Sequence, residues 1–195
     1  GLVARMAGWV VAFRGGFEPG SRELFTLGGI ALATAAVLLV ISIRLFEPLG
    51  SQIPAHKFVR GAMVWLLISG ALLVFEPIHL RLIGAPFSHA YTGAIRHALT
   101  VGFISQMILG VGMTVVARMN DIPDAAQKTL WSVFVLLNLG NAGRVGLQIL
   151  TDYNPSGFRP MGATGFVELV GLATWAYFVA GPMLRRGRAL IAARS

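Results

Sequence analysis

The chain has 195 residues, of which 55% are hydrophobic and 12% are charged, and it contains no cysteine. Soluble domains carry about 25% charged residues, so the composition excludes an ordinary soluble protein and predicts an all-α, polytopic transmembrane helix bundle. The missing cysteines exclude disulfides, thiolate metal sites and thiol catalysis. The net charge of +8 would suit a nucleic-acid partner. Because the basic residues fall singly at the edges of apolar runs, we exclude that partner and expect them to mark membrane boundaries.

Five apolar stretches reach the length of about 20 residues that a transmembrane helix needs. Residues 1–24 precede them and are expected to form an interfacial or connecting segment. In chain order, the five predicted spans cover about residues 25–43, 59–75, 91–117, 131–150 and 164–184. Turns rich in proline and charged residues separate the spans, and residues 185–195 are expected to form a basic cytoplasmic tail.

Charge distribution predicts how the chain lies in the membrane. Nine lysines and arginines fall on the side of the C-terminus and six on the side of the N-terminal segment. The positive-inside rule therefore predicts a cytoplasmic C-terminus, and we expect a multi-pass protein of a bacterial inner (cytoplasmic) membrane. The chain starts at Gly1 and shows no signal-peptide pattern, so we expect it to be part of a longer protein. Its expected partners are the lipid bilayer and further transmembrane helices, from a missing N-terminal portion or from partner subunits.

Polar groups inside spans are costly and mark the places to look for function. The third span carries Arg96 and His97 near its start. His97 has three interpretations: a ligand to haem b or copper, a proton relay, or an interfacial histidine bonded to a carbonyl group. The other histidines, His56, His79 and His89, fall in predicted loops or at helix starts and are expected to be ordinary interfacial residues.

The fourth predicted span carries a polar stripe. Asn141, Arg144 and Gln148 are spaced so that they share one helix face. Such a stripe suits haem propionates, an anionic quinol or lipid head group, or an acidic residue on a neighbouring helix. Glu168 is the carboxylate well inside a predicted span, so Arg144 and Glu168 are expected to form a structural ion pair. Small residues of the third span, such as Gly102, Gly110 and Gly112, would allow close approach of a neighbouring helix or a flat macrocycle.

The third span also carries a recognisable pattern. Residues 97–102 read HALTVG, residues 107–111 read MILGV, and Arg118 closes the span. This segment resembles the HALTVG…M.L.V…R segment of the NnrS family, and the likeness extends over about residues 24–188. Two features depart from the family pattern: its histidine-rich N-terminal motif is absent, and residues 119–123 replace its usual GHTGR.

The resemblance implies a membrane protein that binds haem b, copper or both and acts in the response to nitric oxide and nitrosative stress, or in respiratory redox chemistry. It favours His97 as the metal or haem ligand, with Arg96, Arg144 and Gln148 holding propionates or another anion. Two alternatives are a non-catalytic transmembrane subunit of a larger redox or energy-transducing complex that binds lipid or pigment, and a transporter fragment. Protease, phosphate-loop and paired-carboxylate signatures are absent, and the sequence leaves open whether the protein is an enzyme.

Overall fold

The computed structural model describes Met6, residues 19–44, Glu47 and residues 53–192, with the backbone alone for residues 19–22 and 187–192. Its main helices, in chain order, are α1 (Pro19–Ser42), α2 (His56–Leu82), α3 (His89–His97), a π-helix (Ala98–Ser105), α4 (Gln106–Met119), α5 (Trp131–Thr151) and α6 (Phe158–Ala192). Two single 3₁₀ turns, Asp124–Ala126 and Pro155–Gly157, lie in the connections. The described residues contain no strand, so the predicted all-α fold is confirmed.

Five helical segments are long and apolar enough to cross a membrane, as predicted: Glu23–Ser42, His56–Leu82, His89–Met119, Trp131–Thr151 and Pro155–Arg186. The third of them consists of α3, the π-helix and α4 in succession. Residues 1–18 of the predicted interfacial segment lie outside the described residues except for Met6, whereas Pro19 already begins α1. At the other end, α6 continues to Ala192, so the first part of the predicted basic tail is helical.

The predicted end of the second span at residue 75 is wrong, because α2 continues through Pro77 to Leu82. A proline lacks one backbone donor and kinks a helix, but neighbouring groups in a membrane protein can compensate for the loss. Gly84, two residues after the end of α2, has a φ of +66° and closes the helix. The Gly84 N–H donates to Arg81 O and the Ala85 N–H donates to Leu80 O, the two bonds of a glycine-closed helix end.

The buried faces of the helices meet in a bundle. α1 packs on α2, α3 packs on α5, and α2 also contacts the π-helix and α4. α5 and α6 run antiparallel, since Gly140 lies against Glu168 and Gly143 lies against Thr164. One apolar cluster contains Phe58, Leu109, Met113, Val133 and Leu137, among others, and a second contains Trp65, Ala94, Ala98 and Val145.

The π-helix lies at the centre of this packing. Its backbone bonds link residues five apart, and such segments are rare and occur mostly at functional sites. Asn141 of α5 is fully buried against it. With its amide oriented to pair donors with acceptors, Asn141 donates to His97 O and accepts from Gly102 N, each at 3.2 Å. Gly102 in turn lies directly against the Trp65 side chain.

Gly102→Ala is expected to destabilise the bundle by about 1–3 kcal/mol, because the new Cβ collides with the buried Trp65. Trp65 cannot easily move, since its Nε1 donates to Asn138 Oδ1 at 2.8 Å. Gly162→Ala is the matched control: Gly162 also lies in a helix, and a Cβ there meets nothing within 4 Å. Thermal unfolding in detergent measures both, and equal midpoints for the two variants would contradict the packing described.

Candidate functional site

The polar stripe of α5 faces α3, so three of the predicted site residues come together. The Gln148 side chain lies directly against Gly93, and Arg144 reaches His97 one turn further along α3. Asn141 reaches the start of the π-helix. The contacts of the stripe therefore lie along one face of α3, from Gly93 through His97 to the start of the π-helix.

His97 is only weakly engaged by its neighbour. Arg144 Nε donates to His97 Nε2 at 3.4 Å, longer than the 2.9–3.0 Å that is usual for such bonds. Because arginine can only donate, Nε2 accepts through its lone pair and a neutral imidazole carries its proton on Nδ1. His97 Nδ1 is buried and has no hydrogen-bond partner. One imidazole nitrogen, Nε2, therefore makes only a long hydrogen bond, and the other, Nδ1, is buried without a partner.

The expected ion pair between Arg144 and Glu168 is not formed. Ion pairs among the described side chains join Arg44 to Glu47 and His79 to Asp152. Arg144 Nη1 instead donates to the carbonyl oxygen of Met161 at 3.0 Å. The reason is the register of α5 and α6: Glu168 lies opposite Gly140, about 10 Å along the axis of α6 from Met161. Glu168 Oε1 is buried and has no hydrogen-bond partner.

Arg96 does not join this cluster. Its side chain is exposed, although it neighbours His97 in sequence. Consecutive residues of a helix point about 100° apart, so when His97 turns towards α5 its neighbour turns away. Gln148 does lie at the cluster, and its Oε1 is another buried atom without a partner.

A second polar network in the bundle has all its members paired. Trp65 Nε1 and Gln106 Nε2 both donate to Asn138 Oδ1, at 2.8 Å and 3.1 Å. Asn138 Nδ2 donates to Phe134 O at 2.7 Å and lies 3.3 Å from Gln106 Oε1. These bonds join α2, α4 and α5, and we assign them a structural role because each buried polar group finds a partner.

The sequence analysis missed a third polar cluster, at the end of the bundle where α2 and α5 end and α3 begins. His79 Nε2 lies 2.7 Å from Asp152 Oδ2, and its Nδ1 lies 3.1 Å from the Tyr153 hydroxyl. Ser88 Oγ donates to the same carboxylate oxygen, and the His79 ring stacks on Tyr91 with centroids 4.2 Å apart. His79 is buried and lies on α2, so its predicted place in a loop is wrong.

The serine, histidine and aspartate of this cluster do not form a catalytic triad. Ser88 bonds the aspartate and not the imidazole, so no base is placed to take its proton. The arrangement joins three helix ends through one carboxylate. Its sequence signal was the short polar run 152–154 after an apolar span, which reads equally well as a turn.

Comparison with known protein families, curated proteins and solved structures finds no match to this chain. The site must therefore be judged on its own geometry.

The described residues fit the two proposed cofactors unequally. No group of three histidine, aspartate or glutamate residues in the described part of the chain is placed to hold a metal ion. A haem held by one histidine needs a single imidazole, and His97 offers a weakly held lone pair next to a guanidinium that suits a propionate. A Cβ at Gly102, Gly110 or Gly112 would contact a side chain of α2 or α6, so these three glycines serve helix packing and are not themselves the surface for a macrocycle.

Asp152→Asn is expected to lower the free energy of unfolding by about 1–3 kcal/mol, because the amide replaces an oxygen that accepts from Ser88 and pairs with His79. Asp124→Asn is the control: Asp124 is exposed and accepts one hydrogen bond, from Gln127. That change should stay within about 0.5 kcal/mol. Reversible unfolding in detergent or urea measures both values, and a loss at Asp152 no larger than at Asp124 would refute the role of the cluster.

Proposed function

We propose that this multi-pass membrane protein binds haem b through His97 and takes part in nitric oxide or respiratory redox chemistry. The observation that carries the proposal is the His97 imidazole inside the third span, with Nε2 held only by Arg144 at 3.4 Å and Nδ1 buried without a partner. An eight-residue π-helix starts at the next residue, a feature typical of functional sites. The resemblance of residues 97–118 to the NnrS family supports the same function.

Each residue of the cluster has a defined part in this proposal. His97 would hold the haem iron through Nε2, and the Arg144 guanidinium would hold an acidic propionate. At present Arg144 donates to the neutral Met161 carbonyl, and a carboxylate is a stronger acceptor than a carbonyl. Gln148 adds an amide at the same face. A bound haem would supply one-electron redox chemistry at this site.

The proposed location is a bacterial inner membrane with the C-terminus in the cytoplasm, supported by nine basic residues on that side against six on the other.

Protein purified from membranes of haem-supplied cells should show a Soret band that His97→Ala abolishes. His89→Ala is the matched control, since His89 starts the same span but is exposed and makes a ring contact with Phe87 only at the surface. Absorption spectra measure the band, and circular dichroism checks that each variant keeps its helices. A folded, colourless wild-type protein, or a Soret band that survives in His97→Ala, would refute haem binding at this residue.

A second candidate function is that of a non-catalytic transmembrane subunit in a larger complex. The observation in its favour is the final span, in which 6% of the most apolar window is buried, against 39% in the second span. Lipid or a partner helix must cover the rest of α6. A colourless protein that purifies in mild detergent with a mass well above 20.8 kDa plus its detergent would favour this function over haem binding.

A further inference from the structure

A cavity of about 430 Å³ opens at the end of the bundle opposite the His79 cluster. It lies between the end of α4, the connection that follows it and the end of α6. Its walls are mostly apolar, with Met113 of α4 and Phe178 and Val179 of α6 among them. Lys128 and Arg185 line the same cavity, and both are exposed. The cavity, called the apolar chamber below, therefore has mostly apolar walls and two exposed cationic side chains.

The position of the cavity fits a membrane interface. α4 ends at Met119, and the adjacent charges Arg185 and Arg186 interrupt the apolar sequence of α6. Basic residues at the end of an apolar span mark a membrane boundary. The described helix ends and the connection around the cavity carry four basic side chains and two carboxylates. The basic residues are Arg118, Lys128, Arg185 and Arg186, and the acidic residues are Asp121 and Asp124. One of these carboxylates, Asp124, is engaged by Gln127 at 2.8 Å. The charge that remains at the mouth is positive.

In the cavity wall, Gly181 has no side chain and Pro182 has no backbone N–H. Pro182 lines the cavity inside α6, and because proline has no N–H the Phe178 carbonyl lacks its usual helical donor. Gly181 also lines it, and a Cβ at that position meets nothing within 4 Å. The chamber therefore has free volume that a side chain or a ligand can fill without displacing other atoms.

We propose that this cavity is a binding site for one anionic phospholipid, with an acyl chain in the apolar chamber and the phosphate between Lys128 and Arg185. An anionic phospholipid joins a fixed negative charge to apolar chains at the depth where this cavity combines cations with apolar walls. A zwitterionic lipid brings the same chains without net charge, and free phosphate brings the charge without the chains. The site is separate from the cluster around His97, so the proposal does not depend on haem binding.

Native mass spectrometry of the detergent-purified chain, titrated with dioctanoyl-phosphatidylglycerol, tests the proposal. We expect one retained lipid in the wild-type protein, and weaker retention of dioctanoyl-phosphatidylcholine. Lys128→Ala and Arg185→Ala should each weaken phosphatidylglycerol binding about fivefold, the effect of removing one cation near a phosphate. Arg159→Ala is the matched control, since Arg159 is an exposed arginine in the first turn of α6 and does not line the cavity.

A second pair of variants tests the apolar chamber without changing any charge. Gly181→Leu should weaken binding about tenfold, the effect of displacing roughly two buried methylene groups. Gly162→Leu lies on the same helix, also has open space at its Cβ and lies outside the cavity, so it should bind like the wild type. Leucine favours a helix more than glycine does, so both variants are expected to fold.

Three results would overturn the proposal: equal retention of the two lipids, unchanged binding in Gly181→Leu, or competition by inorganic phosphate as strong as that by phosphatidylglycerol. The last of these would indicate a simple anion site that makes no use of the chamber.

Discussion

Hydrocarbon offers no partner to a polar group, so a polar side chain on the inner face of this bundle is costly unless another helix supplies a partner. α5 carries several of these groups. Its Asn138 bonds Trp65 of α2, its Asn141 reaches the start of the π-helix, and its Arg144 reaches His97. These contacts fix the position of α3 and the π-helix along α5, and they place the His97 imidazole in the interior.

The π-helix follows from the same constraint. The backbone hydrogen bonds of a π-helix are less regular than those of an α-helix. Some of its backbone N–H and C=O groups therefore need another partner inside the membrane. Asn141 meets both His97 O and Gly102 N, which lie five residues apart. Because residue 102 is a glycine, Trp65 can close over it. Asn141, Gly102 and Trp65 therefore act together, and the geometry at His97 depends on all three.

The sequence predicted the parts of this structure that depend on hydropathy and helical spacing. The five spans follow from apolar length, and the common face of Asn141, Arg144 and Gln148 follows from their spacing. The spacing of residues along one helix does not show which residues of two neighbouring helices lie opposite each other. Arg144 and Glu168 are the right residue types on neighbouring helices, yet glycine contacts between α5 and α6 set Arg144 level with Met161.

The His79 cluster was missed for a different reason. Glu76 and Pro77 together normally mark the end of a span, so His79 was placed in a loop. In the structure Glu76 is 2% exposed and the helix runs on beyond it, which brings His79 inside. The partner of His79 is Asp152, 73 residues later in the chain. Long-range pairing of this kind is decided by tertiary packing and leaves no local pattern.

The two ends of the bundle differ in how their polar side chains are arranged. At one end, Asp152 binds groups from two other helix ends and fills the space between them. At the other end, cations line a chamber that the chain leaves open. Along α6 the residue level with His97 is Met161, and the cavity begins at Tyr177, about 24 Å further along the helix axis. The two sites are therefore separate. The third span carries both His97 and three residues of the cavity wall, Met113, Val116 and Ala117, so coupling between the sites would pass along that span or through α6, which contacts α5 along its N-terminal half and α4 at Trp175.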